Sequence, residues 1–181
     1  DLELTRTYNS RGRPRQDPGP LGEGWSISLP SIEGSEYQKI AFEPATTTTY
    51  EYEDDVETVV EPGYAVLISG DGSEVVFEQT LSEDPTKDAF KGQVGIEHLR
   101  LKPLAGSVRD PQRFELTDYE SNERFEFSRA PDGKTFELAT VRSLGSGTKE
   151  MSYNWEARAG KRRLVRLIAP AAPTIASCDV P

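Results

Sequence analysis

The side chains able to do chemistry are few, and their spacing narrows what chemistry is open. His98, within GIEHLRLKP, is the only histidine, and an imidazole serves as a general base or a metal ligand near neutrality. A metal centre needs further nitrogen or sulfur ligands. The one cysteine, Cys178, lies in a Pro-flanked tail and cannot close an internal disulfide. His98 therefore reads as a strand histidine. Glu51, Glu53, Asp54, Asp55 and Glu57 crowd enough oxygen together to suggest Ca²⁺. They lack the D-x-D-x-D-G spacing and the bidentate glutamate of a calcium loop, so they read as a solvated turn between strands.

Arg11, Arg13 and Arg15, and later Lys161, Arg162 and Arg163, flank turns and read as solvated or paired with neighbouring acids. GPLGEG and SLGSGTK contain glycine without the helix and lysine spacing of a phosphate loop, and no G-x-S-x-G nucleophile motif occurs. Trp25, Tyr50, Tyr52, Tyr64, Tyr119, Tyr153 and Trp155 suggest sugar stacking, because aromatic faces pack on pyranose rings while nearby acids accept hydroxyl hydrogen bonds. The competing reading makes Trp25 and Trp155 core anchors of a sheet. No catalytic residue, metal ligand or cofactor site emerges, and no cofactor is expected.

Composition limits the partners. Lys and Arg total 21 against 31 Asp and Glu, a formal charge of -10 over 181 residues. An acidic surface repels phosphate backbones and anionic lipid, which argues against nucleic acid as a ligand. No run approaches the ~18 apolar residues of a membrane span. Recurrent apolar segments and 9% aromatic residues distinguish the chain from acidic disordered sequences.

The elements that must carry these residues are strands. The 15 Gly and 13 Pro interrupt the sequence too often for long helices. Trp25, Ile27 and Leu29 alternate with serines, as Leu2 and Leu4 alternate before Tyr8, which places each set on one face of a strand. TTTTYEY, residues 46–52, is β-branched and aromatic and reads as a strand exposed on one side. AVLIS and SEVVF flank Gly70, Asp71 and Gly72, whose positive φ angles suit a tight hairpin. RFEFSRA and KTFELAT flank Pro131, Asp132 and Gly133 in the same way, and RFELT joins RFEFS through DYESNE.

From residue 113 onward the chain reads as an antiparallel meander. Residues 80–95 read as a long surface loop with one helical turn after Ser82 or Pro85. The expected core combines Trp25, Ile27, Leu29, Phe77, Phe125, Phe127, Phe136 and Leu138. A single β-rich domain is expected over residues 1–168, with 169–181 as an extended tail. The sequence is expected to be a cleaved product or a segment of something longer.

Three patterns occurring in order resemble the start of the shell of the Rhs/YD-repeat family, secreted or surface proteins that include polymorphic toxins. LELTRTYNSR followed by GPLGEGWSISLP is similar to the family's opening motif, carried by Leu2, Leu4, Arg6, Tyr8, Asn9, Ser10, Gly22, Gly24 and Trp25. The Asp-Gly hairpins ending at Phe77 and Phe127 stand where the family has such strands. SYNWEARAGKRRLVRLIAP resembles one YD repeat through Tyr153, Trp155, Gly160, Leu164 and Ile168.

Only one such repeat is present, with Tyr153-Asn154 and Trp155-Glu156 replacing the Tyr-Asp pair, and the paired D-P-x-G self-cleavage motif is absent. The resemblance implies an all-β antiparallel meander of the β-sheet spiral type. It also implies a non-enzymatic, secreted or surface-located piece of a shell that encloses or presents a toxin. Its partners would be a continuation of the same chain or identical copies, met through edge strands. An extracellular glycan-binding β-domain is the alternative.

Overall fold

The computed structural model describes residues 6–8, 25–27, 29, 32, 36–52, 55–145, 149–158 and 161–170. All of its sheet pairings are antiparallel, and the described residues include no α-helix. The strands are β1 (Arg6–Tyr8), β2 (Trp25–Ile27), β3 (Tyr37–Glu43), β4 (Thr46–Tyr52), β5 (Asp55–Glu61), β6 (Gly63–Ser69) and β7 (Glu74–Thr80). After them come β8 (Ala89–Gly92), β9 (Leu99–Gly106), β10 (Pro111–Asp118), β11 (Glu123–Arg129), β12 (Thr135–Ser143), β13 (Glu150–Arg158) and β14 (Lys161–Ile168). The all-β, antiparallel expectation holds.

Eight strands in the order β8-β7-β6-β3-β12-β11-β10-β9 curl until β8 and β9, the two ends of the row, lie side by side. The result is a nearly closed barrel. β12 is the junction. One edge pairs with β11 along its length, while the other pairs with β3 at Thr135–Glu137 and with β13 at Thr140–Arg142. The β13–β14 hairpin therefore branches away from the barrel. β1 with β2, and β4 with β5, form separate two-stranded ribbons.

Alternation fills the interior. Phe114 and Leu116 of β10 lie in register with Phe127 and Phe125 of β11, and all four are fully buried. Phe114 meets Phe136 edge to face, with centroids 4.6 Å apart, and Phe42 and Phe90 extend the aromatic cluster. Large residues face small ones where the barrel needs room. Phe77 sits between Ala65 of β6 and Gly92 of β8, and a Cβ on Gly92 would approach Ile96 Cδ1 to 2.8 Å. Of the expected core, Leu29, Phe77, Phe125, Phe127, Phe136 and Leu138 are buried. The side chains of Trp25 and Ile27 lie outside the described residues.

Four expectations are corrected. Residues 89–92 form β8 rather than loop, because Phe90 packs against the core across from β7. The turn after Ser82 is real, a 3-10 turn at Pro85–Lys87 capped by Asp84 Oδ1, which accepts from the Thr86 N–H at 3.0 Å. His98 lies in the turn before β9, its carbonyl accepting from the Tyr119 N–H at 2.9 Å. In the hairpin between β6 and β7 only Gly72 takes a positive φ, of 86°. Asp71 instead accepts the Ser73 N–H at 2.8 Å, which closes the turn without a second left-handed residue. Finally, β4 is exposed on both faces, not one, since residues 46–51 and their partners in 56–61 all face solvent.

Candidate functional site

His98 meets one carboxylate. Its Nε2 lies 3.8 Å from Glu120 Oε2 at the barrel rim, a loose pair involving a largely exposed carboxylate. Among the described residues no group of three or more His, Cys, Asp or Glu side chains is placed to hold a metal ion. Glu53 and Asp54 of the acidic run, Arg11, Arg13, Arg15 and Cys178 lie outside the described residues.

The structure assembles an acidic cluster that the sequence reading missed. Asp118 and Glu123 are register partners on the same face as Leu116 and Phe125, so both point inward, and both are buried. Each has a structural task. Asp118 Oδ2 accepts from the Tyr37 hydroxyl at 3.1 Å, while Oδ1 accepts the N–H groups of Glu120 and Ser121, closing the turn between β10 and β11. Glu123 Oε1 accepts the Ile32 N–H at 3.0 Å. Burial, with Asp118 beside it, holds the Tyr37 phenol well above the ordinary tyrosine range. Burial followed by the Glu123 charge does the same for Tyr153. Both phenols stay protonated at neutral pH, and that of Tyr37 donates to Asp118. The signal in the sequence was an alternation, F-E-L-T-D, that sets Asp118 in phase with Phe114 and Leu116.

The outer face of the meander carries an ion-pair belt. Glu115 and Glu126 are opposed in register and nearly buried, an arrangement that repels by itself. Cations on every side compensate. Lys102 lies 2.9 Å and Arg124 3.6 Å from Glu115, Arg113 binds Glu126, and Arg142 spans Glu126 at 3.2 Å and Glu150 at 2.7 Å. These charges satisfy one another, which suits a rigid wall better than an anion site.

The barrel seam is tied by side chains. Gln79, buried on β7, accepts the Ala45 N–H at 2.7 Å and donates to the Val108 carbonyl at 2.6 Å. Arg109, on the turn after β9, donates to Asp88 Oδ2 at 2.7 Å and to the Ser82 carbonyl at 2.8 Å. The hydrogen bond from Arg109, followed by that from the Ser82 N–H, holds the Asp88 carboxyl below the usual range.

Two features face outward. The β4–β5 ribbon exposes Val56 (63%), Val60 (55%) and Tyr50 (48%), and each strand pairs only with the other among the described residues. β14 likewise pairs only with β13. At the fork, the indole N–H of half-buried Trp155 donates to the Leu138 carbonyl at 2.7 Å, between the stretches of β12 held by β3 and β13. Arg162 grips Glu137 through two nitrogens, at 2.9 and 2.6 Å.

The motif residues are distributed accordingly. The backbones of Arg6 and Tyr8 pair with Ile27 and Trp25, so the two halves of the opening motif form one ribbon, with the Tyr8 side chain exposed. Leu2, Leu4, Asn9, Ser10, Gly22, Gly24 and Gly160 lie outside the described residues, as does the tail from residue 171. Asp132 Oδ1 accepts the N–H groups of Lys134 and Thr135, and Gly133 has φ of 73°. Tyr153 is buried, and Trp155 and Leu164 pack against the core. Of the aromatic set only Tyr50, Tyr64 and Tyr119 are shown exposed, on three different elements. No protein-family model, curated protein or solved structure matches the chain.

Proposed function

We propose that the chain is a non-enzymatic structural module of a secreted or surface shell of the Rhs/YD type, joined to its surroundings through open strand edges. The observation that carries this reading is the fork at β12. A sheet that merely enclosed its own core would end once β8 reached β9. Here it branches into β13 and β14 and leaves the β14 edge without a strand partner among the described residues. Unpaired edge N–H and C=O groups are templates for a further strand. The buried Asp118, the ion-pair belt on Glu115 and Glu126, and Gln79 with Arg109 are engaged as turn cap, wall and seam.

Hydrogen exchange tests the reading. β14 amides on the edge away from β13 should exchange slowly at high protein concentration and quickly on dilution. Equal, fast exchange at both concentrations would contradict it. One observation favours the glycan alternative. Tyr64 is exposed between its cross-strand neighbours Glu43 and Glu78 on the outer face, an aromatic flanked by acceptors. A glycan array showing binding that Tyr64→Ala abolishes would establish it.

A further inference from the structure

The β4–β5 ribbon is a projecting acidic arm. Residues 46–61 hold six acids, Glu51, Glu53, Asp54, Asp55, Glu57 and Glu61, and no Lys or Arg. Two-stranded ribbons exposed on both faces are marginal in water by themselves. This one nevertheless presents valines to solvent, with Val56 and Val60 on one face of β5 and Val59, Glu57 and Glu61 on the other. β14 is its complement in charge. KRRLVRLI holds four basic residues and no acid, in a chain of net charge -10. Arg162 is held by Glu137, whereas Arg163 and Arg166 are exposed. Leu164 and Leu167, register partners of Trp155 and Tyr153, line the opposite, core-facing side.

Resting on the edge-assembly reading above, we infer that β5 of one molecule adds to the open edge of β14 in a second copy, head to tail. Strand addition would set the β5 face that bears Glu57, Val59 and Glu61 against the face that bears Arg163 and Arg166. The bulge at Val165 brings those arginines two register steps apart, so that one glutamate lies beside an arginine and the other diagonal to the second. The addition would continue the apolar row Leu164, Leu167 with Val56 and Val60 on the other face. Charge and apolar patterning agree face by face, and the strands match in length at seven and eight residues. Because arm and edge are different surfaces, the contact is heterologous and propagates as a row. Opposite charges also steer encounter and suppress arm-to-arm and edge-to-edge contacts.

The test is sedimentation velocity on three versions of the full chain: wild type, Glu57→Lys/Glu61→Lys, and Arg163→Glu/Arg166→Glu. All four side chains are exposed, and thermal melts establish that each variant folds. If the reversed charge opposite Glu156 unsettles the β13–β14 hairpin, Arg163→Gln/Arg166→Gln replaces the second variant and is read for weakened association alone, without the mixture. Each variant should self-associate at least tenfold more weakly than wild type. An equimolar mixture of the two reversals should recover association, since each then meets an opposite charge. High salt should weaken the wild-type contact. Wild-type association untouched by either variant, or lost without recovery in the mixture, would overturn the arm-to-edge contact and leave edge assembly standing. A wild type that stays monomeric at every concentration would overturn both.

Discussion

Replacing Gln79 with leucine keeps the side chain near its present size and removes two hydrogen bonds, one across the seam to Val108 and one from Ala45 just past the end of β3. The Ala45 N–H and Val108 carbonyl would each lose a partner now 2.7 and 2.6 Å away. Each neutral hydrogen bond contributes a net ~0.5–1.5 kcal/mol, and a stranded buried group costs about 1–3 kcal/mol. Ala45 is half-buried and can recruit water, so its share falls at the low end. The expected loss is about 2–4 kcal/mol, read from urea unfolding followed by tryptophan fluorescence at unchanged m-value. Gly63 offers an independent probe of the same contact. A Cβ there would fall 2.3 Å from both Gln79 Oε1 and the Ala45 nitrogen and 2.6 Å from the Glu43 carbonyl, so Gly63→Ala should destabilise at least as much. A Gln79→Leu loss below about 0.5 kcal/mol would refute the idea that this glutamine holds the seam.

Other outcomes follow from the same geometry. Phe114→Ala should cost about 3–5 kcal/mol, because the ring is fully buried among Phe42, Phe90 and Phe136, and calorimetry measures the loss. Trp155→Phe should cost about 1–2 kcal/mol through the orphaned Leu138 carbonyl, and exchange should quicken in β13 and β14 before the barrel strands. The Asp88 carboxyl is depressed by Arg109, so its contribution to stability is complete above the unfolded value near 4 and disappears as pH falls through the lower folded value. Acid titration should therefore loosen the segment around Ser82, and Arg109→Gln should remove that acid-sensitive component of its exchange.

Strand content was legible in the sequence wherever a turn residue announced itself. The hairpins around Gly72 and Gly133 and the turn before Glu123 all stand where Asp-Gly and Asp-Tyr-Glu-Ser-Asn-Glu placed them. The short β8 was not legible, since Phe90 alone marks its buried face and Gly92 is there for the room that Phe77 and Ile96 need. Closure was not legible either. It depends on Gln79 and Arg109 reaching residues 29 and 27 positions away, contacts without local periodicity. Threonine and tyrosine in β4 signalled a strand, but nothing local indicated that both of its faces would be left in water. Asp118 and Glu123 became a buried pair only through the register of β10 on β11.

The central claim is that this module is built to be joined through its open edges. Static light scattering on the wild-type chain over a wide concentration range tests that most directly. Average mass should climb with concentration, without a plateau at the dimer, and fall back in high salt. A mass fixed at that of the 20.1 kDa monomer across the range would contradict the account.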